Sequence, residues 1–558
     1  MATRVKRASP TISPEVTIRL YDPGMTPVLR AGLGGIAASL RAIARLSGGW
    51  PDRVPLDVGW ATVHSSDVAL HWGEAGPAAC LPQILAESFT LDTNGQVYLP
   101  GAYGDALINH PELVAALQAA LRRSFLAHPK FVTGATRHTR TFEIDEQQYS
   151  YEAESLTGYV HQRQAPELTR AFEADAHLKL ASWAYPGAAQ RHIAFSNTKA
   201  AYSPAQALSA VFALVGCVVY TAPRAEVVVV PDPADLVAFG EVRVGLTPKR
   251  YEEVHVAGAG DAVLAVNAAL RADNLRRYGR AVADASALLI GQVAWDQQRR
   301  VRVGTVDGGT FDDHTLDLYY KVVSTLPTVL RRRAPAAGGR ANSRRRPKRT
   351  RPVSVRGGGA ATGDAFVTVS TLRGFVTENV ARRRPWYQDF ATATDGSNPS
   401  RWIHYYRNDE RRNRGALYPQ DREAIKAMVE HLDEAERALV ESVHDALRRR
   451  FGQIAEESKT NPVAMRNRWD GERERWRLAF AGAKTQEQIR AALADLWSRG
   501  GGNAPLRRHW TTVLPLLRTE RWRAARDLAL VALASYSGRE REEVDTERDK
   551  ATAEDIGT

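Results

Sequence analysis

The densest run of side chains able to do chemistry lies between Arg331 and Arg356, RRRAPAAGGRANSRRRPKRTRPVSVR. Eleven lysines and arginines stand there among Ala, Gly, Pro, Ser and Asn, with no acid. Such a run gains affinity for a nucleic-acid backbone by displacing condensed counterions, without reading sequence. A solubilising linker or a localisation-like basic patch has the same composition. The whole chain carries a net charge of +12 while residues 1–330 sum to about −2, so this strap holds nearly all of the excess. Within it Arg344, Arg345, Arg346, Lys348, Arg349 and Arg351 are the candidate backbone contacts. Residues 411–540 add 25 basic against 18 acidic residues, with clusters at Arg411–Arg414, Arg448, Arg449 and Arg450, Arg466 and Arg468, Arg473, Arg475 and Arg477, and Arg507 and Arg508. Arginine outnumbers lysine, which suits bidentate phosphate contacts. Some of these arginines will instead pair with Glu472 or Glu474 along a helix surface.

Catalytic constellations are sparse. The chain has no G-x-S-x-G, H-E-x-x-H, Walker or CxxC sequence. Asp312-Asp313-His314 could in principle join a metal-dependent nuclease site, and a solvated loop or helix cap explains it equally. Gly32, Gly34 and Gly35 stand where a strand-to-helix turn could cradle a phosphate, but their spacing fits neither dinucleotide fingerprint nor P-loop. Close packing of a helix start on a sheet is the alternative. Glu143, Asp145 and Glu146 are expected to face water, and His192 reads as a strand histidine. The sequence points to no enzyme, no cofactor and no metal.

These residues need elements to position them. Val16–Leu20 alternates like a half-buried strand, and after the Asp22-Pro23-Gly24 turn the segment LRAGLGGIAASLRAIARL has helical spacing at Leu33, Ile36, Ala37, Leu40 and Ala44. Pro111 opens a second helix, followed by strands from Arg137 to Tyr151. A short strand at His192–Phe195, a helix from Pro204 entering a strand at Leu214–Tyr220, strands at Glu226–Val230 and Leu236–Val244, a helix at Asp261–Tyr278 and a strand at Ala285–Val293 complete a mixed region. Beyond the strap, TLRGFVTENVARRR is helical, and residues 392–401 are loop by composition. Ile425 to Ala446 reads as one long amphipathic helix. Trp469, Trp476 and Phe480 stripe the next, Thr485–Gln488 caps a third, and Arg521–Tyr536 forms the last. The expected fold is α+β: a mixed α/β N-terminal domain (1–330), a disordered basic linker (331–363), a connecting segment (364–410), an all-α bundle (411–540) and a disordered acidic tail (541–558). At 558 residues several domains are the prior. Two distant cysteines, Cys80 and Cys217, fit a reducing cytoplasm, and no stretch reads as a signal peptide or membrane span.

Four blocks together resemble a known family: PGMTPVLRAGLGGIAASLRAI (23–43), YPGAAQRHIAFSNTK with LSAVFALVGCVVY (185–220), VVVVPDPADLVAF (227–239) and ENVARRRPWYQDF (378–390). They are similar to the large subunit of type I CRISPR effector (Cascade) complexes, in the Myxan-type branch. The strap has no counterpart in that resemblance, and the C-terminal helices match by character alone. The resemblance implies a non-catalytic subunit of a crRNA-guided surveillance complex. Its partners would be crRNA, double-stranded target DNA and its displaced single strand, the backbone, guide-end and small subunits, and a helicase-nuclease or transposition-targeting protein. It further implies that the N-terminal domain reads the protospacer-adjacent motif while the bundle lies along the displaced strand. Gln190, Arg191, His192, Asn197 and Lys199 are the candidate motif readers, because such side chains can address base edges. The block Arg382-Arg383-Arg384-Pro385-Trp386-Tyr387 could stack a base or clamp a phosphate; packing of Trp386 into a domain joint is its alternative. The resemblance also suggests a second product translated from near Met428. The rival is a metal-dependent nuclease or nucleotide-using enzyme of a defence or developmental operon.

Overall fold

The computed structural model describes residues 13–144, 147–180, 201–223, 225–271, 281–292, 301–307, 311–332, 363–395, 398–406, 415–418, 421–458 and 461–537. The chain forms two compact units, one of residues 1–310 and 328–368, the other of 311–327 and 369–558. The expected strand at His192–Phe195, the acidic tail and most of the strap, 333–362, lie outside the described residues.

In the first unit, β1 (Glu15–Arg19) follows the alternating pattern and leads into α1 (Pro27–Ile43). Gly32, Gly34 and Gly35 lie inside this helix, not in a turn before it, which removes the phosphate-cradle reading. Their role is packing. A Cβ on Gly32 would meet the Ser209 carbonyl oxygen at 1.8 Å, and one on Gly35 would meet the Phe212 oxygen at 2.4 Å. Those partners lie on α3 (Pro204–Gly216), which follows α2 (Pro111–Arg123) and the hairpin of β2 (Thr136–Ile144) and β3 (Gln147–Ser155). Gly216 returns the fit, since its Cβ would strike the Ala31 oxygen at 1.8 Å. Two helices thus cross with their backbones in contact. Ser203 and Gln206 form a capping box at the start of α3. At its other end the buried Arg243 guanidinium donates to the carbonyls of Val215 and Cys217, both at 2.6 Å, satisfying acceptors that a helix end leaves open.

An antiparallel meander supports this pair: β4 (Val218–Ala222), β5 (Ala225–Pro233), β6 (Val282–Gln292) and β7 (Val301–Asp307). Arg30 of α1 grips Asp232 of β5 through two hydrogen bonds of 2.6 Å. Between β5 and β6 lie α4 (Leu236–Val242) and α5 (Ala259–Arg271). The expected strand at Leu236–Val244 is therefore a helix, nucleated by Asp235, whose carboxylate accepts from the Ala238 N–H. The expected strand start at Leu214 falls inside α3; β4 begins at Val218.

The strap departs most from its expected form. Arg331 and Arg332 belong to β8 (Val329–Arg332), which pairs antiparallel with β9 (Gly363–Thr368). β9 then pairs in parallel with β3, giving the sheet order β8-β9-β3-β2. The residues on either side of 333–362 thus belong to one sheet of the first unit, so the run does not link the two units in chain order. The chain passes between units near residues 310, 327 and 368 instead.

The second unit opens with α6 (Asp313–Thr325) and α7 (Thr371–Ala381). A small sheet centred on β10 (Asn398–Tyr406) stands where residues 392–401 read as loop. Then come α8 (Asp421–Val429), α9 (Glu434–Glu457), α10 (Pro462–Gly482), α11 (Gln486–Gly500), α12 (Ala504–Val513) and α13 (Trp522–Ser535). From residue 421 to 535 the described chain is helical, as expected, but the predicted long helix is two. Asp433 and Glu436 form a capping box that restarts the backbone between α8 and α9. Trp469, Trp476 and Phe480 are buried as their stripe predicts.

Candidate nucleic-acid interface

The motif-reading candidates Gln190, Arg191, His192, Asn197 and Lys199 lie outside the described residues, as do Arg344, Arg345, Arg346, Lys348, Arg349 and Arg351. The remaining candidates divide into exposed cations and residues with structural work.

Trp386 belongs to the second group. It is only 3% exposed, so it cannot stack an incoming base. Asn379 holds the bend that buries it, its side-chain amide donating to the carbonyls of Trp386 (3.2 Å) and Gln388 (2.9 Å). Next to it the buried Tyr387 hydroxyl donates to the Glu436 carboxylate at the start of α9. The Asp527 carboxylate on α13 accepts from the N–H groups of Asp389 (2.8 Å) and Ala391 (3.2 Å). This block ties the chain after α7 to the bundle. Its arginines stay at the surface. Arg382 pairs with Glu378 at 2.6 Å, and Arg383 adopts a left-handed φ of 57° with its guanidinium 5.9 Å over Phe311. Arg384 is exposed.

In the bundle, internal pairing removes several cations from consideration. Arg450 is bonded to the buried Glu472 at 3.1 Å, Arg475 to Asp495 at 2.9 Å and Arg477 to Glu474 at 2.6 Å, while Arg468 holds Glu457. Arg449 binds Asp445 at 3.1 Å; Arg448, 71% exposed, stays 3.7 Å from the same carboxylate. Arg507 and Arg508 are exposed on α12, with no ion pair among the described residues. The helices that carry these arginines are neighbours. Asn503, the cap of α12, donates to the Ser442 carbonyl of α9, and His509 lies 3.6 Å from Glu434, so α12 runs antiparallel along α9. Arg448, Arg507 and Arg508 are thus cations on adjoining helices, available for phosphate oxygens.

The residues of the rival enzyme reading have other duties. The Asp312 carboxylate accepts from the Thr315 N–H as the cap of α6, and that contact holds its pKa below the ordinary value. Among the described residues no three His, Cys, Asp or Glu side chains converge as metal ligands.

Sequence reasoning missed a cleft in the second unit, of about 320 Å³, between β10 and α10. Trp402 (38% exposed) and Leu478 (56% exposed) flank it, and Tyr405, Glu474, Arg477 and Gly482 stand among its other walls. Arg477 is fixed by four contacts. Nε and Nη2 donate to Glu474 at 2.7 and 2.6 Å, Nη1 donates to His404 Nε2 at 3.0 Å, and the guanidinium carbon sits 4.4 Å over the Tyr405 ring. Burial, reinforced by the Arg477 charge, pushes His404 down to about 3, so its ring is neutral and Nε2 is an acceptor. The run Arg401-Trp-Ile-His-Tyr-Tyr406 was the available signal, an aromatic-rich stretch too short to announce its partner helix.

Known proteins share this two-part organisation in sequence. Residues 17–211 match the DevT N-terminal domain and residues 427–557 the DevT C-terminal domain. The chain is 45% identical over 549 residues to the CRISPR-associated protein Cas8a1/Csx13 of Myxococcus xanthus (strain DK1622), covering 97% of this chain and 91% of that protein. The chain therefore belongs to the Cas8a1/Csx13 family, the Myxan-type branch of Cascade large subunits.

Proposed function

We propose that this protein is the non-catalytic large subunit of a crRNA-guided type I surveillance complex. In this reading it recognises the protospacer-adjacent motif, stabilises the opened duplex and recruits a helicase-nuclease or a transposition-targeting protein. The similarity to Cas8a1/Csx13 along 97% of the chain carries the proposal. Exchange of a DNA duplex for a guide–target heteroduplex is nearly balanced in energy, so a few contacts to backbone and displaced strand can tip it. Arg448, Arg507 and Arg508 support that role from the bundle. The strap cations Arg344, Arg345, Arg346, Lys348, Arg349 and Arg351 would add a contact that is indifferent to sequence. Base reading is assigned to Gln190, Arg191, His192, Asn197 and Lys199. The complex would work in the cytoplasm; no helix among the described residues is long and apolar enough to cross a membrane.

The test is assembly. Co-expressed with a crRNA and the backbone, guide-end and small subunits, the chain should co-elute with them in fixed ratio, and the isolated chain should not cut DNA with added divalent metal. Elution as a free protein, or metal-dependent cleavage abolished by Asp312→Ala, would overturn the reading.

A further inference from the structure

We infer that the cleft between β10 and α10 binds one unpaired nucleobase of a single-stranded nucleic acid, an assignment that rests on the nucleic-acid reading above. Its volume of about 320 Å³ is at the small end for ligand pockets, which run from about 300 to 1,000 Å³. One planar heterocycle with part of its sugar suits that space. The chemistry of the walls selects the class. Trp402 offers an indole 38% exposed, an unusual exposure for a side chain whose area favours burial, and Leu478, 56% exposed, lines the same cleft. A base entering the cleft would cover apolar surface on both, and every base has a face to stack.

The floor adds a fixed polar edge. Arg477 is held by Glu474, His404 and Tyr405, so it does not have to be ordered when a ligand arrives. Because the Glu474 side chain remains 40% exposed, its carboxylate keeps acceptor capacity for a base N–H. An exposed cation for a flanking phosphate, Lys484, stands two residues past the cleft-lining Gly482. An aliphatic or acidic side chain of a protein partner would use the apolar rim or the cation, but not the aromatic stack together with the Glu474 acceptor.

The experiment uses the full chain and two short DNA strands. One is wholly abasic; the other is the same strand with a single central 2-aminopurine, whose fluorescence is quenched on stacking. Wild type should bind the base-bearing strand about 5- to 150-fold more tightly, the range of a single base–aromatic stack, with quenching. Trp402→Ala should erase that increment and leave the abasic affinity unchanged, while Trp402→Phe should keep most of it. Leu478→Ala, at a position too exposed to threaten folding, should lower the increment in part. Equal affinity of wild type for the two strands, or an equal loss on both in Trp402→Ala, would overturn the cleft assignment and leave the nucleic-acid reading standing. Failure of wild type to bind either strand would overturn both.

Discussion

Arg332 and Ala365 face each other across an antiparallel ladder, so the chain before and after the cationic strap lies at one edge of one sheet. This relation changes what the strap can do. A run whose two flanks lie in one unit is not, in chain order, a tether between two units.

Replacing the cations between Arg333 and Arg356 by Gln, with Arg331 and Arg332 of β8 retained, should therefore weaken DNA binding without unfolding the protein. Each phosphate that the variant no longer neutralises should flatten the slope of log K against log salt by about 0.7–0.9. The thermal midpoint should hold. Binding that is unchanged across a salt series would remove the strap from the interface.

The packing of α1 on α3 makes a sharper demand. Gly32→Ala places a Cβ 1.8 Å from the Ser209 carbonyl oxygen, and backbone cannot yield as a side-chain tip can. A destabilisation of about 3 kcal/mol or more is expected, above the usual cost of overpacking. Gly48→Ala, whose Cβ would meet nothing within 4 Å, is the control and should be nearly neutral. Urea midpoints for the two variants check this.

Acid should weaken the second unit through its histidines. His404 is pushed down to about 3 and His444 to about 4, both chiefly by burial. The unfolded chain takes up protons below about pH 6.5 that the folded chain refuses, so stability falls with pH by up to about 1.4 kcal/mol per unit for each. Glu436 and Asp527 are displaced upward by burial and titrate in the opposite sense, adding stability as pH falls through their raised values toward the ordinary range near 4. Between pH 6.5 and 5 the net effect should be destabilisation. His404→Gln should give a shallower slope of unfolding midpoint against pH; an identical slope would exclude His404 as a source.

A product initiated at Met428, where the DevT C-terminal match begins one residue earlier, would keep α9 to α13. It would lack Tyr387 and the Asp389 and Ala391 N–H groups, leaving Glu436 with Arg521 and Asp527 with Arg526 but opening the face those groups cover. Such a product is expected to be stable only when another chain covers that face. Intact mass spectrometry of the native assembly should find it bound, and absent from the unbound fraction; full-length chain alone would rule it out.

Much of the fold was legible because its signals were local. Alternation at Val16–Leu20, the Pro111 helix start and the Trp469–Trp476–Phe480 stripe each announce themselves within a few residues. The errors arose where two signals competed. Leu236–Val244 is apolar enough for a buried strand, and the Asp235 cap that makes it a helix is one residue long. Ile425–Ala446 keeps helical spacing across the break at Leu432–Asp433, so periodicity hid the Asp433–Glu436 cap. The site was less legible than the fold. Charge is visible in sequence, but its neutralisation is not: Arg450 and Glu472 are 22 positions apart. His404 and Arg477, which build the cleft, are 73 apart. The burial of Trp386 depends on Asn379 turning the chain back on itself, which composition does not encode.

A chain that opens and holds target DNA for a guide-bearing complex should leave its mark on the displaced strand. The most direct measurement compares the complex assembled with and without the chain on a matched duplex, probing displaced-strand thymines with permanganate. Reactive thymines are predicted along the displaced strand only when the chain is present, with reduced reactivity for the combined Arg448, Arg507 and Arg508 to Gln variant. Equal reactivity without the chain would contradict the proposed role in opening the duplex.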